Sequence, residues 1–282
     1  MSRAEAVIDS LSKERPIEFV RRFEHGAGGT SLARLDGQLV VVKAWPSSPS
    51  RERTITLGLR CAERAMARSV PIPRLIERGS IGPYSFLLYE FVSGEWPPQI
   101  TSDLARQLFD LLDRHRDAAD QPDPSWRTRM ATMITDGDVW FDITPQNLRT
   151  HPEGREILHA ADSALRTCDP EHVRTTDIVH GDYAPENLLV HNGTIKAVID
   201  WEQACTGDVG FDLAGTVFDI EIGDKADPDT LDAIYAAVAE RVPPDAWRLY
   251  THLYAVRYAS WAVNTEMEAE VLKTIARITS RP

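Results

Sequence analysis

Asp182 stands in the stretch His180-Gly181-Asp182-Tyr183-Ala184-Pro185-Glu186-Asn187, and a second carboxylate follows in Val198-Ile199-Asp200-Trp201-Glu202. Asp182 comes after a short apolar run and sits in a segment that Gly181 and Pro185 mark as a loop. Asn187 opens a further apolar run, Leu188-Leu189-Val190, which keeps its amide near the same loop. Asp200 closes the strand signal Ile195-Lys196-Ala197-Val198-Ile199, and a turn at Asn192-Gly193 is expected to fold that strand back toward the earlier Ile178-Val179-His180. Two carboxylates and one amide oxygen then meet at one end of a small hairpin. Oxygen donors that are few and partly anionic suit Mg²⁺, which keeps waters and phosphate oxygens in its shell. Phosphoryl transfer uses the same parts: a cation to neutralise phosphate charge, and a carboxylate that accepts a hydroxyl proton and aims the oxygen in line.

With Gly207-Asp208-Val209-Gly210-Phe211-Asp212-Leu213-Ala214 added, the three blocks resemble the signature of the aminoglycoside phosphotransferase family. That family is similar to choline kinases and, more distantly, to eukaryotic-type protein kinases. The resemblance implies a two-lobed, protein-kinase-like α+β fold with a small β-rich front lobe and a larger, mainly helical rear lobe. It implies Asp182 as catalytic base, Asn187 and Asp200 as Mg²⁺ ligands, and His180 and Asp212 as supports of the catalytic loop. Val209 departs from it, because the family often has proline after Gly-Asp; the change touches the turn, not the chemistry. A second D-x-x-P-x-N-L spacing, Asp142 to Leu148, lacks the preceding His-Gly and any following Asp-Trp segment, and reads as coincidence.

The front of the chain supplies what a nucleotide needs. Lys43 lies in the β-branched run Leu39-Val40-Val41-Val42-Lys43, where it could pair with α- and β-phosphates, and Gly26-Ala27-Gly28-Gly29-Thr30-Ser31 precedes it as a small-residue loop able to cradle phosphate. Ser31 is the expected side-chain contact there. Tyr89-Glu90-Phe91-Val92 resembles the strand linking the two lobes, so Glu90 and Val92 are the positions expected to meet adenine. The family's lysine pairs with a helix glutamate, and both Glu52 and Glu63 lie in the helical stretch 51–68. The resemblance thus runs from about Phe23 to about Ala214.

Other signals place these residues. Asp36-Gly37 between two apolar runs predicts a tight hairpin, and 74–77 and 84–92 read as strands. After Ser93-Gly94-Glu95-Trp96-Pro97-Pro98 the composition turns helical, so we expect one unit over 1–92 and another over 93–282. Leu104, Leu108, Leu111 and Leu112 recur at helical spacing, and Leu249, Leu253, Val256 and Trp261 suggest a late amphipathic helix.

Of 282 residues, 31 are basic and 43 acidic, a net charge of −12 that disfavours nucleic acid as a partner. Residues 1–92 carry 14 basic and 10 acidic side chains, a net of +4, which leaves 17 and 33, a net of −16, for the rest. That division suits an anionic nucleotide in front and a cationic acceptor behind. No apolar run is long enough to cross a membrane, the first residues lack the apolar core of a signal peptide, and three scattered cysteines suggest reduced thiols in a cytoplasmic protein.

Only Trp201 to Thr206 separate Asp200 from Gly207-Asp208, too little for the segment on which protein kinases seat a peptide. The expectation is a kinase using ATP (or GTP) and Mg²⁺ on the hydroxyl of a small cationic molecule, an aminoglycoside or another antibiotic first. A choline, amino-alcohol or sugar kinase and a non-catalytic nucleotide-binding module are the alternatives. Glu202, Asp219, Glu221, Asp224 and Glu266 are candidate ammonium partners, with Trp201 and Trp261 as stacking surfaces.

Overall fold

A computed structural model of the chain describes residues 1–23 and 29–281. The first element is a helix, α1 (Arg3–Leu11), started by a capping box in which Ser2 and Glu5 bond each other's backbone amides. Five antiparallel strands follow: β1 (Ile17–Arg22), β2 (Thr30–Leu35), β3 (Gln38–Pro46), β4 (Leu75–Ile81) and β5 (Tyr84–Glu90), in the spatial order β1-β2-β3-β5-β4. The β2–β3 hairpin turns on Asp36 and Gly37, both with positive φ (49° and 81°), as a two-residue turn matched to strand twist requires.

β3 is covered on both faces because alternate side chains go to different partners. Val40, Val42 and Ala44 pack with Phe86 and Leu88 against Ala4, Val7 and Ile8 of α1. Val41 and Lys43 point the other way, to the side where Trp45 and Leu87 meet Ile55 of α2 (Pro49–Ala67).

The chain then crosses to a largely helical part. The connection after β5 is tied to the helical part by two backbone hydrogen bonds between Glu95 and Val190 (2.9 and 2.8 Å). The helices are α3 (Ser102–Asp113), α4 (Trp126–Thr135), α5 (Pro152–Thr167), α6 (Val209–Ile222), α7 (Pro228–Ala239), α8 (Pro244–Ala262) and α9 (Glu268–Thr279). Two short antiparallel pairs lie among them: β6 (Asp177–Val179) with β9 (Cys205–Gly207), and β7 (Leu188–His191) with β8 (Thr194–Val198). Among the described residues no helix is long and apolar enough to cross a membrane.

Two expectations are corrected here. The strand ending at Val198 pairs with β7, not with the earlier Ile178-Val179 strand, which pairs with β9 instead. The late helix α8 is not amphipathic: Leu249, Tyr250, Leu253, Tyr254, Val256 and Ala259 are all buried, because α5, α6 and α9 surround it. Val209 also has a physical reason to replace proline. Its amide donates to the buried carboxylate of Asp177 (3.2 Å), a bond that a proline could not make.

Candidate active site

The loop after β6 carries Asp182. Gly181 takes φ 86°, and a Cβ there would lie 2.4 Å from a ring carbon of Phe141, so the position requires glycine on two counts. Asp212, in the first turn of α6 and fully buried, accepts the amides of His180 (2.6 Å) and Gly181 (2.8 Å), one on each carboxylate oxygen. His180 is also buried. Its Nε2 reaches the carbonyl of Ile199 (2.9 Å), so that nitrogen carries the proton, while Nδ1 faces the amide of Asp182 (3.3 Å) and accepts from it. Burial lowers the histidine's pKa and keeps the ring neutral, as this pattern needs. His180 and Asp212 thus fix the loop backbone from opposite ends.

Burial pushes the Asp212 carboxyl up to about 7, against the pull of its two amide donors. The folded protein therefore holds a proton here between pH 4 and 7 that the unfolded chain has released, and the contribution to stability falls as pH rises through that window. Compared with Asp212→Asn, the wild type is expected to lose about 1.4 kcal/mol per pH unit between those values. Urea melts of both proteins at pH 4.5, 5.5, 6.5 and 8 check this; a constant difference between them would refute it.

Asn187 and Asp200 flank the open end of the β7–β8 hairpin, closed by a bond from the Ile199 amide to the Asn187 carbonyl (2.9 Å). Asn187 Nδ2 is committed to Asp182, at its carbonyl (2.7 Å) and its Oδ2 (3.0 Å). That leaves Asn187 Oδ1 as the end of the amide a cation would use. Asp200 adopts a left-handed backbone (φ 70°, ψ 47°), a conformation that aspartate and asparagine reach more readily than other residues with side chains. The donor set fits Mg²⁺: one amide and one carboxylate oxygen, with room left for water and phosphate.

Lys43 reaches across from β3 to Asp200 Oδ1 (2.6 Å) and to both oxygens of Glu202 (3.0 and 2.9 Å). Burial alone would lower the lysine's pKa, but the two carboxylates outweigh it and raise it. The same attraction keeps the Asp200 carboxyl low despite burial. Tyr89 donates to Glu202 Oε1 (3.2 Å). Among the described residues the lysine's partners are Asp200 and Glu202, neither of the expected helix glutamates. Glu52 is taken by Trp45 Nε1 (3.1 Å) and Arg78 (2.8 Å), and Glu63 lines the cavity below. The turn carrying Asp200 and Glu202 packs directly on α2, where a Cβ on Gly58 would lie 2.4 Å from the Trp201 carbonyl.

Lys43, Asn187 and Asp200 border one cavity of about 700 Å³ between the sheet and the helical part. Thr30, Val41 and Lys43 form its front wall, Tyr89 through Val92 its back, and Asn187, Leu189 and Asp200 its floor. Glu90 and Val92, the positions expected to meet adenine, line this cavity, and the Glu90 side chain also accepts from the Arg74 amide (2.9 Å). Ser31 does not line it. It pairs with Val42 on the α1 side of β2, fully buried and, among the described residues, without a hydrogen-bond partner for its hydroxyl, and Thr30 faces the cavity instead. Residues 26–28 of the expected phosphate loop lie outside the described residues.

Several candidate acceptor residues lie elsewhere. Glu202 serves Lys43, and Trp201 is buried edge-on against His180 with its indole NH on the Val198 carbonyl (3.0 Å). Glu221 is held by Arg277 (2.7 Å) and Tyr235 beside a separate, smaller cavity that Asp224 also lines. Asp219 is bound by Tyr258. Trp261 and Glu266 are exposed at and beyond the end of α8. The second D-x-x-P-x-N-L spacing is structural: Asn147 donates to the Ser260 carbonyl (2.6 Å), tying that loop to α8.

One residue was missed. Arg257, on α8, donates from Nη2 to Asp182 Oδ1 (3.1 Å). Its only sequence signal is a cation in an otherwise apolar helical run, Tyr254-Ala255-Val256-Arg257-Tyr258.

A small antiparallel sheet with one buried lysine, set over a helical part that carries a braced His-Gly-Asp loop, is the architecture of the kinase-like folds. The chain belongs to the phosphotransferase enzyme family, whose model matches residues 20–251. An aminoglycoside 3'-phosphotransferase of Streptomyces fradiae is 28% identical over 175 residues, 54% of this chain and 60% of that protein. A hygromycin-B 4-O-kinase of Escherichia coli is 44% identical over 41 residues, 14% of this chain and 12% of its own length. The chain thus matches less than two thirds of either curated relative. Among solved structures, a thermostable mutant of aminoglycoside phosphotransferase APH(4)-Ia, in complex with AMP-PNP and hygromycin B, superposes with TM-score 0.70 at 16% identity, covering 97% of this chain and 98% of that one. Macrolide 2'-phosphotransferase MphH of Brachybacterium faecium gives TM-score 0.60 at 19% identity, covering 99% of both. At these identities the likeness is one of fold.

Proposed function

We propose that the protein is an ATP-dependent O-phosphotransferase acting on a small-molecule hydroxyl, with a cationic antibiotic of the aminoglycoside kind as leading acceptor. One observation carries this reading: Lys43, Asn187 and Asp200 come from three separate segments and line one nucleotide-sized cavity, and the loop that bears Asn187 also holds Asp182, which accepts from it. Asp182 takes the proton of the acceptor hydroxyl; the oxygen forms a bond to the γ-phosphorus as the bond from that phosphorus to the β–γ bridging oxygen breaks, and ADP leaves. Lys43 exchanges its carboxylate partners for α- and β-phosphate oxygens, and the backbone of Glu90 to Val92 bonds adenine. Asn187 and Asp200 would hold Mg²⁺, which supplies charge neutralisation for the triphosphate. Trp261 and Glu266 remain the proposed acceptor contacts, because both are exposed near the end of the helix that bears Arg257. Three free, buried cysteines support a reducing, cytoplasmic setting.

The test is release of ADP from MgATP in the presence of a panel of aminoglycosides, spectinomycin, macrolides, choline, amino alcohols and sugars. Stimulation by one aminoglycoside, with a phosphorylated product by mass spectrometry, is the expected result. Stimulation by choline, an amino alcohol or a sugar alone would replace the acceptor. Thermal stabilisation by MgATP with no turnover at all would replace the enzyme by a nucleotide-binding module.

A further inference from the structure

A guanidinium inside a packed helical layer is costly unless its charge and its N–H groups are used. Arg257 is mostly buried on α8, with the Tyr254 ring 5.6 Å from its central carbon. Its two terminal nitrogens go to the catalytic loop, Nη2 to Asp182 Oδ1 (3.1 Å) and Nη1 toward the Gly181 carbonyl (3.5 Å). Asn187 holds the other carboxylate oxygen, Oδ2, at 3.0 Å. The Asp182 carboxylate is thus gripped at both oxygens by residues from two different elements. Terminal rotation of an aspartate side chain is otherwise broad. One remaining lone-pair direction must face the acceptor hydroxyl for proton transfer, and a carboxylate free to rotate presents it only part of the time.

We propose that Arg257 is a positioning residue: it fixes the rotation of the Asp182 carboxylate, and does not itself recognise the acceptor. Both terminal nitrogens face the loop, and its charge would repel a cationic acceptor instead of binding one. The proposal rests on the reading of Asp182 as the base.

The experiment compares Arg257→Gln, Arg257→Lys and Asp182→Asn, and the double variant, in steady-state ADP release from MgATP with water as acceptor, so that no acceptor need be known. AMP-PNP affinity and thermal midpoints are measured alongside. Arg257→Gln is expected to lower kcat about 10- to 100-fold, with the KM for ATP and the AMP-PNP affinity within about twofold of wild type. Lysine restores part of the loss, because it keeps the charge but offers no planar fork. In the Asp182→Asn background Arg257→Gln adds nothing further, since both act through one carboxylate. A crystal structure of Arg257→Gln should show that carboxylate turned from its wild-type orientation.

Unchanged kcat in Arg257→Gln, with Asp182→Asn inactive, overturns the positioning role and leaves the base intact. Equal losses in Gln and Lys that follow the fall in thermal midpoint also overturn it, in favour of a purely structural ion pair. Full turnover in Asp182→Asn overturns the reading of the base itself.

Discussion

Asp182→Asn is expected to lower kcat by about 10³-fold, the scale of a lost general base, with AMP-PNP affinity nearly unchanged. The substitution preserves shape but removes the group that accepts the proton. One neighbour must also go without its acceptor, because the new amide NH₂ faces either Arg257 or Asn187, which both donate to the wild-type carboxylate. That costs about 1–3 kcal/mol, a drop of some degrees in the thermal midpoint. ADP release with the best acceptor of the panel, corrected for folded fraction, gives the reading. A kcat within tenfold of wild type would remove Asp182 from its role.

Asp200→Asn separates charge from backbone in a way few substitutions allow. Asparagine tolerates the left-handed conformation that residue 200 adopts, so the turn survives and only the charge is lost. Lys43 keeps Glu202 as a partner. We expect Mg²⁺-dependent AMP-PNP binding to weaken by at least tenfold and turnover to fall by about 10³-fold, the larger effect because the cation acts on the reacting phosphate as well as on affinity. Titration calorimetry with and without Mg²⁺ checks the first value and ADP release the second. Retained Mg²⁺-dependence of binding would move the cation site away from Asp200. Asp200→Ala, by contrast, would add backbone strain of about 1–2 kcal/mol and confound the comparison.

Local signals in the chain proved the most legible. Asp36-Gly37 and Asn192-Gly193 both form the hairpin turns their residue types demand, since each places two residues at positive φ. The spacing from Asp182 to Asn187 is short enough for a single loop to bring them together, and it does. What the sequence hid were partnerships between distant segments. Glu202 is 159 residues from the lysine it binds, and Arg257 is 75 residues from Asp182. Neither pairing leaves a periodic trace. Ser31 was misplaced by one step along a strand, where each step reverses the face a side chain occupies. The helix α1 was readable and went unread: Ser2 and Glu5 form a capping box ahead of Val7, Ile8 and Leu11, and these side chains cover one face of the sheet. The membership of the family settles the fold class that the His-Gly-Asp block suggested.

Gly58 has a bearing on how such a molecule could open and shut. Where a helix backbone abuts a carbonyl with no side chain between them, there is no lubricating layer along which the two pieces might slide. The segment bearing Asp200 is therefore held to α2, so the carboxylate that faces Lys43 is anchored from behind by a helix of the front part.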